Sequence, residues 1–195
     1  MQYLKKEIRE RILAAAVEEF KAQGYADASI RNIADNAEIS LGNIYRYFLN
    51  KEDLYFAIIK PFMESVRNFV EKDFSFTNKS MKDLSETLIA FIMQYNDELL
   101  IIFKGNSVHH DNFMQYITDV MAAKIKELME SVYAEVDKKI TNVDFYPAVA
   151  EGFLTSFCKI MCNCSSKEMQ EHKARELITF YFGHMKERFE NFDVD

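Results

Sequence analysis

Residues 29–54, which read SIRNIADNAEISLGNIYRYFLNKEDL, decide the fold of this chain. Ser29 and Ser40 are residue types that cap helix N-termini, and each precedes a short segment with apolar residues at helical spacing. Ile44 and Phe48 lie four residues apart in the second segment, so both would face a core on one side of a helix. The stretch therefore predicts two short helices joined by a tight turn.

The flanking sequence completes a three-helix unit. A longer amphipathic helix is predicted over residues 6–23, because apolar side chains recur there at helical spacing. Gly24 follows it and suits a left-handed helix C-cap. The second short helix is expected over residues 41–48, and Asn50 is expected to cap a further helix whose first turn is acidic. A long helix followed by two short ones is the helix-turn-helix arrangement.

The whole chain is poor in residues that break helices, since its 195 residues include 5 Gly and 2 Pro. This composition favours long helices over sheets with many turns. Pro61 lies inside the helix that starts near Asn50 and is expected to kink it. We predict an all-α protein of about nine helices, with one domain over residues 1–50 and a larger helical domain over residues 51–195. The later helices are predicted at about 80–95, 98–103, 111–139, 147–162 and 166–189.

Composition argues against several classes of protein. Hydrophobic residues make up 49% and charged residues 28%, which is typical of a soluble domain with a packed core. No apolar run approaches the roughly 18 residues of a membrane span, and the N-terminal residues do not resemble a signal peptide. We therefore expect a cytoplasmic protein without membrane association.

The net charge of −7 lies mostly outside the N-terminal segment. Residues 1–55 carry eight Lys/Arg and nine Asp/Glu, a net charge of −1, which leaves −6 for the remainder. This distribution permits a nucleic-acid contact through the first segment, but it provides no strong basic field. Very tight binding to non-specific DNA is therefore not expected.

The decisive stretch resembles the DNA-binding domain of the tetracycline-repressor (TetR) family, and the similarity covers about residues 8–55. The resemblance implies a transcriptional regulator, most simply a repressor, that binds double-stranded operator DNA as a homodimer and responds to a small-molecule effector. It also implies no enzymatic activity, and we predict no cofactor and no metal ion. The matching features are Phe20, Gly24-Tyr25, the pair Ile33-Ala34, the Ser-x-Gly-x-Ile-Tyr-x-Tyr-Phe run over residues 40–48 and the Asn-Lys-Glu-Asp-Leu run over residues 50–54.

Eight positions match those that commonly contact operator DNA in this family. Gly42 has no side chain and lets the backbone approach DNA closely, and Asn43 offers a donor and an acceptor to a base edge. A serine-capped helix start favours a phosphate. Tyr47 is expected to reach the DNA, and Lys51 can pair with a phosphate. The eight expected contacts are Arg31, Ser40, Leu41, Gly42, Asn43, Tyr45, Tyr47 and Lys51.

Two positions depart from the family pattern. Glu38 stands in the turn where glycine is usual, and a left-handed conformation there would cost on the order of 1 kcal/mol. Leu41 stands where a basic or polar residue is common, so it either touches a thymine methyl group or contributes less phosphate affinity.

The larger domain is rich in aromatic residues and methionine, and an apolar cavity there would suit a hydrophobic or planar effector. Most such side chains in a helical protein are ordinary core residues, so this alternative stays open for each of them. The candidates for the effector site are Phe62, Phe69, Phe91, Tyr95, Phe103, Phe113, Tyr116, Met121 and Phe153.

Apolar stripes on the last two helices fit either an intramolecular core or a contact between subunits. The family resemblance implies that these helices pair with their mates as a four-helix dimer interface. The candidate interface residues are Val149, Phe153, Phe157, Ile160, Leu177, Tyr181, Met185 and Phe189.

Other functions have weaker support in the sequence. Cys158, Cys162 and Cys164 cluster on one stretch, as do His109 and His110 on another, but neither spacing matches a defined metal site, and buried thiols explain the first cluster equally well. A helical ligand-binding protein or an enzyme without DNA binding is the alternative. We find no nucleophile motif, Gly-rich phosphate loop or paired-carboxylate motif that would favour an enzyme.

Overall fold

The computed structural model describes residues 2–73, 81–105, 108–136, 144–164, 166–184 and 187. Over these residues the chain forms nine α-helices and no strand, which confirms the predicted fold class. A π-helical segment, Phe69–Asp73, follows the fourth helix directly. The helices are α1 (Gln2–Asp27), α2 (Ile30–Asn36), α3 (Leu41–Ile44), α4 (Lys51–Asn68), α5 (Met81–Gln94), α6 (Asn96–Phe103), α7 (Val108–Val136), α8 (Phe145–Asn163) and α9 (Lys167–Phe182).

The chain packs as two compact units. The first comprises Met1–Arg67 and Tyr95–Phe113, and the second comprises Asn68–Gln94 and Met114–Asp195. Helices α4 and α6 thus pack with the helix-turn-helix, and the domain boundary expected after residue 50 stays a prediction. No helix within the described ranges is long and apolar enough to cross a membrane.

Helix α1 is the platform of the first unit. It packs against α2 and against α6. It bends at Gly24, whose φ of 75° is positive as predicted, while its ψ of 170° is extended and turns residues 25–27 away from the helix axis. A Cβ atom at this position would lie 2.9 Å from the carbonyl oxygen of Lys104, so the site requires glycine for both conformation and space.

The helix-turn-helix packs around an apolar core. Ile44 and Phe48 are buried as the sequence predicted, and Arg9 lies 5.3 Å from the centre of the Phe48 ring. The rings of Tyr25 and Phe20 both contact Tyr55 of α4, at centroid distances of 4.9 and 5.5 Å. Burial of these side chains is what holds the short helices, because helices of four and seven residues are not stable alone. The fully buried α1 and α2 members of this core are Ile12, Ala16, Phe20 and Ile33.

Several predicted helix boundaries were wrong. Helix α1, predicted over residues 6–23, spans Gln2–Asp27. Helix α3 ends at Ile44 rather than Phe48, because residues 45–47 tighten into a turn in which the Tyr47 amide donates to the Ile44 carbonyl at 2.9 Å. Helix α7 begins at Val108, ahead of the expected start at Asp111. Helix α9 ends at Phe182, because Gly183 is extended and His184 has a φ of 53°.

In the second unit, α9 packs against both α8 and α5. The Phe153 ring of α8 is buried and lies 5.3 Å from that of Phe182. The Arg175 guanidinium of α9 donates to the Glu86 carboxylate of α5, and to Glu171 at 3.1 Å. These ionic groups are partly exposed, so apolar burial rather than the ion pairs holds the three helices together.

Glu38 occupies a strained position in the turn between α2 and α3. Its φ is 54°, the left-handed conformation that the sequence suggested for this normally glycine position. The Arg11 guanidinium of α1 donates to the backbone carbonyl groups of Ala37 and, at 3.3 Å, of Glu38. Arg11 therefore supports the turn by binding the backbone of residues 37 and 38. This support does not depend on the side chain at position 38.

The substitution Glu38→Gly should raise the free energy of unfolding by about 1 kcal/mol, because glycine adopts a positive φ without the steric cost of a side chain. The Glu38 carboxylate lies 3.7 Å from Arg11 but is 87% exposed, so losing this pair should matter little. Urea-induced unfolding followed by circular dichroism measures the difference.

The control is Glu38→Ala, which removes the same carboxylate but keeps a Cβ atom. Its stability should not exceed that of the natural chain. Equal stabilisation by both variants would show that charge, and not backbone strain, limits stability at this position.

Candidate nucleic-acid interface

The start of α2 is held by a serine cap and by a buried carboxylate. The Asn32 amide donates to the Ser29 hydroxyl at 3.4 Å, which confirms Ser29 as the N-cap. Glu19 of α1 is only 7% exposed, and its Oε1 accepts from the Ser29 backbone N–H at 2.9 Å and from the Asn32 side-chain amide at 3.1 Å. This contact fixes the first turn of α2 to α1.

Sequence reasoning missed Glu19, although a signal was available. Glu19 falls three residues after Ala16 and seven after Ile12, so it lies on the apolar face of α1. A carboxylate at a core position needs partners, because burying an unsatisfied charge is costly. Its presence there pointed to donors on the neighbouring segment.

Two side-chain hydrogen bonds hold the start of α4. Asn50 Oδ1 accepts from the Asp53 amide at 2.8 Å, and Asp53 Oδ2 accepts from the Leu49 amide at 3.0 Å. The predicted cap at Asn50 is therefore present.

Four of the eight expected DNA contacts are exposed and four are half-buried. Tyr45 is 51% exposed, whereas Tyr47 is half-buried. Ser40 has the extended backbone of an N-cap, but its side chain makes no capping hydrogen bond. The exposed members are Arg31, Ser40, Gly42 and Tyr45, and the half-buried members are Leu41, Asn43, Tyr47 and Lys51.

Two further residues stand on this surface that the sequence prediction left out. Leu49 is 83% exposed in the turn before α4, and Arg46 is exposed between the two tyrosines. Within the described ranges, the side chains of Arg31 and Arg46 make no hydrogen bond or ion pair. Both guanidinium groups are therefore available to phosphates. Arg46 could have been predicted from the sequence, because it lies between two expected contacts, Tyr45 and Tyr47.

Lys51 differs from these two cations. Its ammonium donates to the carbonyl groups of Ala26 at 2.9 Å and Ala28 at 3.1 Å, and it lies 4.9 Å from the centre of the Tyr25 ring. Burial, and then the negative charge of Glu52, raise the pKa of Tyr25, so its ring carries a neutral hydroxyl at physiological pH. The ammonium thus has three partners inside the protein.

The candidate effector residues divide between the two compact units. Phe62 lies 5.3 Å from Tyr95 and 5.6 Å from Phe113, ring centre to ring centre, and Phe69 stacks on Phe91 at 4.2 Å. Both clusters also read as ordinary core packing. Phe62, Tyr95, Phe103 and Phe113 belong to the first unit, and Phe69, Phe91, Tyr116, Met121 and Phe153 to the second.

The candidate interface residues also differ in burial. Phe153 and Phe157 are already covered within the single chain, whereas Val149, Ile160, Leu177 and Tyr181 are half-buried. Phe180, which the prediction omitted, is 70% exposed beside Tyr181. Met185 and Phe189 lie outside the described residues.

Cys158 of the cysteine cluster is not a reactive thiol. Burial, and then Cys162, raise the pKa of Cys158 to about 12, so this thiol stays protonated near neutral pH. In the described part of the chain, no three His, Cys, Asp or Glu side chains are grouped so as to hold a metal ion. His110 bonds the Ile102 carbonyl through Nδ1 at 2.7 Å, a contact that fits a structural role.

Comparison with known proteins places the helix-turn-helix in a described family. Residues 12–58 match the family profile of bacterial regulatory proteins of the tetR family. The chain is 30% identical over 95 residues to YdgC, an HTH-type transcriptional regulator of Bacillus subtilis, covering 47% of this chain and 49% of YdgC. It is 21% identical over 145 residues to IcaR, the negative transcriptional regulator of the biofilm operon icaADBC of Staphylococcus aureus, covering 71% and 76%. The chain thus spans about half the length of YdgC.

Solved structures share the fold over most of the chain. A TetR-family regulator from Bordetella parapertussis superposes with a TM-score of 0.68 at 14% identity, covering 90% of this chain and 94% of that one. The regulator FadR from Bacillus subtilis, solved in complex with stearoyl-CoA, superposes with a TM-score of 0.58 at 18% identity, covering 89% and 98%. At these identities the structures establish the shared fold alone.

The substitution Glu19→Leu should lower the free energy of unfolding by about 1–3 kcal/mol, because the Ser29 N–H and the Asn32 amide lose their buried acceptor. Glu19→Gln keeps an oxygen at the same place and should lose less. Urea unfolding of the purified chain measures both.

The neighbouring Glu18 supplies the control, since its side chain is exposed. Glu18→Leu should change the free energy of unfolding by about 0.5 kcal/mol or less. If the two leucine variants were equally stable, the Glu19 carboxylate would have no part in holding α2.

Proposed function

Because this chain belongs to the TetR family of bacterial regulatory proteins, we propose that it is a dimeric, ligand-responsive repressor of transcription. The helix-turn-helix binds operator DNA, and the larger helical part pairs the subunits and binds a hydrophobic effector. The observation that carries the proposal is the surface of α2 and α3. There the exposed Arg31, Gly42 and Tyr45 lie beside the buried side chains of Ile33 and Ile44, so the core positions the exposed residues.

This surface has the chemistry of a DNA-reading face. Arg31 and Arg46 supply charge for phosphates, Asn43 supplies a donor and an acceptor for a base edge, and Gly42 leaves room for the backbone. An ideal Cβ atom on Gly42 meets nothing within 4 Å in the free chain, so the packing of the protein does not require glycine there. Close approach to DNA is a reason for glycine at that position.

This face carries few cations, so we expect electrostatic attraction to contribute only modestly to its DNA affinity. A phosphate contact lowers the slope of log K against log salt by about 0.9. Leu41 and Leu49 also lie on this surface and contribute no charge to it. We propose that specific base contacts, and not general phosphate attraction, supply much of the operator affinity.

Effector control follows from the connection between the two parts of the chain. Helix α4 begins immediately after the helix-turn-helix and continues to Asn68, the first residue of the second unit. An effector that favours a different position of α4 would change the distance between the two recognition surfaces of a dimer, whose half-sites lie about one helical turn apart or a multiple of it. The coupling is reciprocal, so operator DNA weakens effector binding by the same factor.

Related proteins support the regulator over the alternative of an enzyme or a pure ligand-binding protein. YdgC and IcaR are transcriptional regulators, and IcaR is a negative one. FadR was solved with stearoyl-CoA, a ligand with a long apolar chain. A hydrophobic effector for this chain agrees with the aromatic content of its larger part.

We assign the dimer contact to the apolar side chains of α8 and α9 that the single chain leaves uncovered. Leu177, Phe180 and Tyr181 lie within four residues on α9, so they share one side of that helix. Exposed aromatic residues of this kind are enriched where subunits meet. A two-fold contact through α8 and α9 would bury them against their own copies.

The first test is fluorescence anisotropy with duplexes selected in vitro from a random library, measured across a salt series and against unselected duplexes. Tyr47→Ala should weaken binding to the selected duplex by about 1–3 kcal/mol while helicity stays unchanged, because the ring reads the DNA and the core beneath it is intact. Lys60→Ala, which removes an exposed cation from α4, should leave the affinity unchanged. If selection enriched no sequence, the regulator proposal would fail.

A second test addresses the dimer. Phe180→Glu should raise the dimer dissociation constant about tenfold or more, since it places a charge at the centre of the proposed contact. Sedimentation equilibrium measures the constant. Leu49→Glu changes an equally exposed apolar residue on the DNA-reading face and should leave the dimer intact. Identical sedimentation of Phe180→Glu and the natural chain would refute this interface.

A further inference from the structure

We propose that the first turns of α1 extend the DNA-reading face, and that Lys5 and Arg9 there bind backbone phosphates of the duplex. The proposal rests on the proposed function and adds a contact surface on a helix that holds none of the eight expected contacts. Its partner is the sugar–phosphate backbone, which carries the same charge whatever the base sequence.

The contact that carries the proposal lies between Arg9 and Phe48. The Arg9 guanidinium lies 5.3 Å from the centre of the Phe48 ring, within the range of a cation–π contact. Phe48 directly follows Tyr47, an expected DNA contact, and directly precedes Leu49, which is 83% exposed. Arg9 is therefore placed at the edge of the DNA-reading face, although it is remote from that face in sequence.

Helical periodicity places Lys5 beside Arg9. The fully buried Ile12, Ala16 and Phe20 follow Arg9 after three, seven and eleven residues. Arg9 therefore lies on the core-facing stripe of α1. Lys5 is four residues before Arg9 on the same uninterrupted stretch of helix and continues this stripe. The stripe thus changes from apolar to basic towards the start of α1, where both cations are exposed.

Both cations have hydrogen-bond donors available. A guanidinium carries five N–H donors in a planar fork that matches two phosphate oxygens, and an ammonium carries three donors. Within the described ranges, the side chains of Arg9 and Lys5 make no hydrogen bond and no ion pair. The Phe48 ring orients the Arg9 side chain without supplying an oxygen acceptor. A phosphate would therefore meet a cation that is already held in place.

The charge of this segment also favours a polyanion. Residues 1–11 carry four Lys/Arg and two Asp/Glu, a net charge of +2, whereas residues 12–55 carry four Lys/Arg and seven Asp/Glu, a net charge of −3. Of the two acids, Glu10 lies 3.7 Å from Lys6 and offsets its charge. Glu7 is two residues from either proposed contact and so points to the opposite side of the helix. The positive charge of the N-terminal segment is thus concentrated where the two cations lie.

A structural role for Arg9 alone is the alternative. In that role the guanidinium covers the Phe48 ring, and Lys5 has no part in DNA binding. The two roles predict different results for Lys5 and for the salt dependence of DNA binding.

The first experiment uses the natural chain with and without a saturating duplex. Brief treatment with acetic anhydride, followed by mass spectrometry of peptides, gives the acetylation rate of each lysine. Lys5 should react about fivefold more slowly when DNA is bound, because a phosphate then occupies its ammonium. The exposed Lys82 of α5 should react at the same rate in both samples. An unchanged rate for Lys5 would overturn the proposal.

The second experiment compares Arg9→Met and Lys5→Met with Lys60→Met, which removes the same charge from α4. Anisotropy is measured with selected and unselected duplexes across a salt series. Each α1 variant should reduce the magnitude of the slope of log K against log salt by about 0.9 for each subunit bound, whereas Arg9→Lys should retain it. The ratio of selected to unselected affinity should not change, because phosphates carry no sequence information. Lys60→Met should leave the slope unchanged.

Unchanged slopes for Arg9→Met and Lys5→Met would refute the phosphate contact. A lower unfolding midpoint for Arg9→Met at an unchanged slope would assign Arg9 the structural role instead. If selection enriches a sequence while the slopes stay unchanged, the proposed function stands and this inference fails. If selection enriches none, the slopes on unselected duplexes still decide the phosphate contact. Absence of binding to any duplex at low salt would refute both.

Discussion

The burial of one face of α1 is the constraint on which the rest of the first unit depends. Ile12, Ala16 and Phe20 are fully buried and provide the surface on which α2 and α3 are stable. Short helices of this kind have no stability of their own, because nucleating a helix costs more than a few hydrogen bonds return. Helix α1, which carries none of the expected DNA contacts, therefore sets the position of those on α2 and α3.

Polar contacts refine what apolar burial establishes. Glu19 holds the beginning of α2, Arg11 supports the turn at Glu38, and Lys51 ties the beginning of α4 to the end of α1. Each of these ionic groups makes a hydrogen bond with backbone atoms of another segment. Such contacts specify the path of the chain, which is what a recognition surface requires.

Much of the helix-turn-helix could be predicted from local chemistry. The caps at Ser29 and Asn50, the positive φ of Gly24 and Glu38 and the inward direction of Ile44 and Phe48 are decided by the residue and its near neighbours. The length of α3 could not be predicted in this way. The residues that follow Ile44 are equally compatible with a turn and with a continued helix when only their near neighbours are considered. The contacts of Lys51 could not be predicted either, because they involve carbonyl groups more than twenty residues earlier in the chain.

The sequence by itself determined the all-α class, the helix-turn-helix and the chemical identity of its exposed surface, because helical periodicity, capping and turn preferences act over a few residues. Tertiary structure decided which of those polar side chains remain available. Arg46 and Lys51 are cations only five residues apart in sequence, yet Lys51 is bound by backbone carbonyls and an aromatic ring while Arg46 is exposed. The difference arises because partners for a charge are found in space, and the fold alone brings distant backbone groups within hydrogen-bond reach.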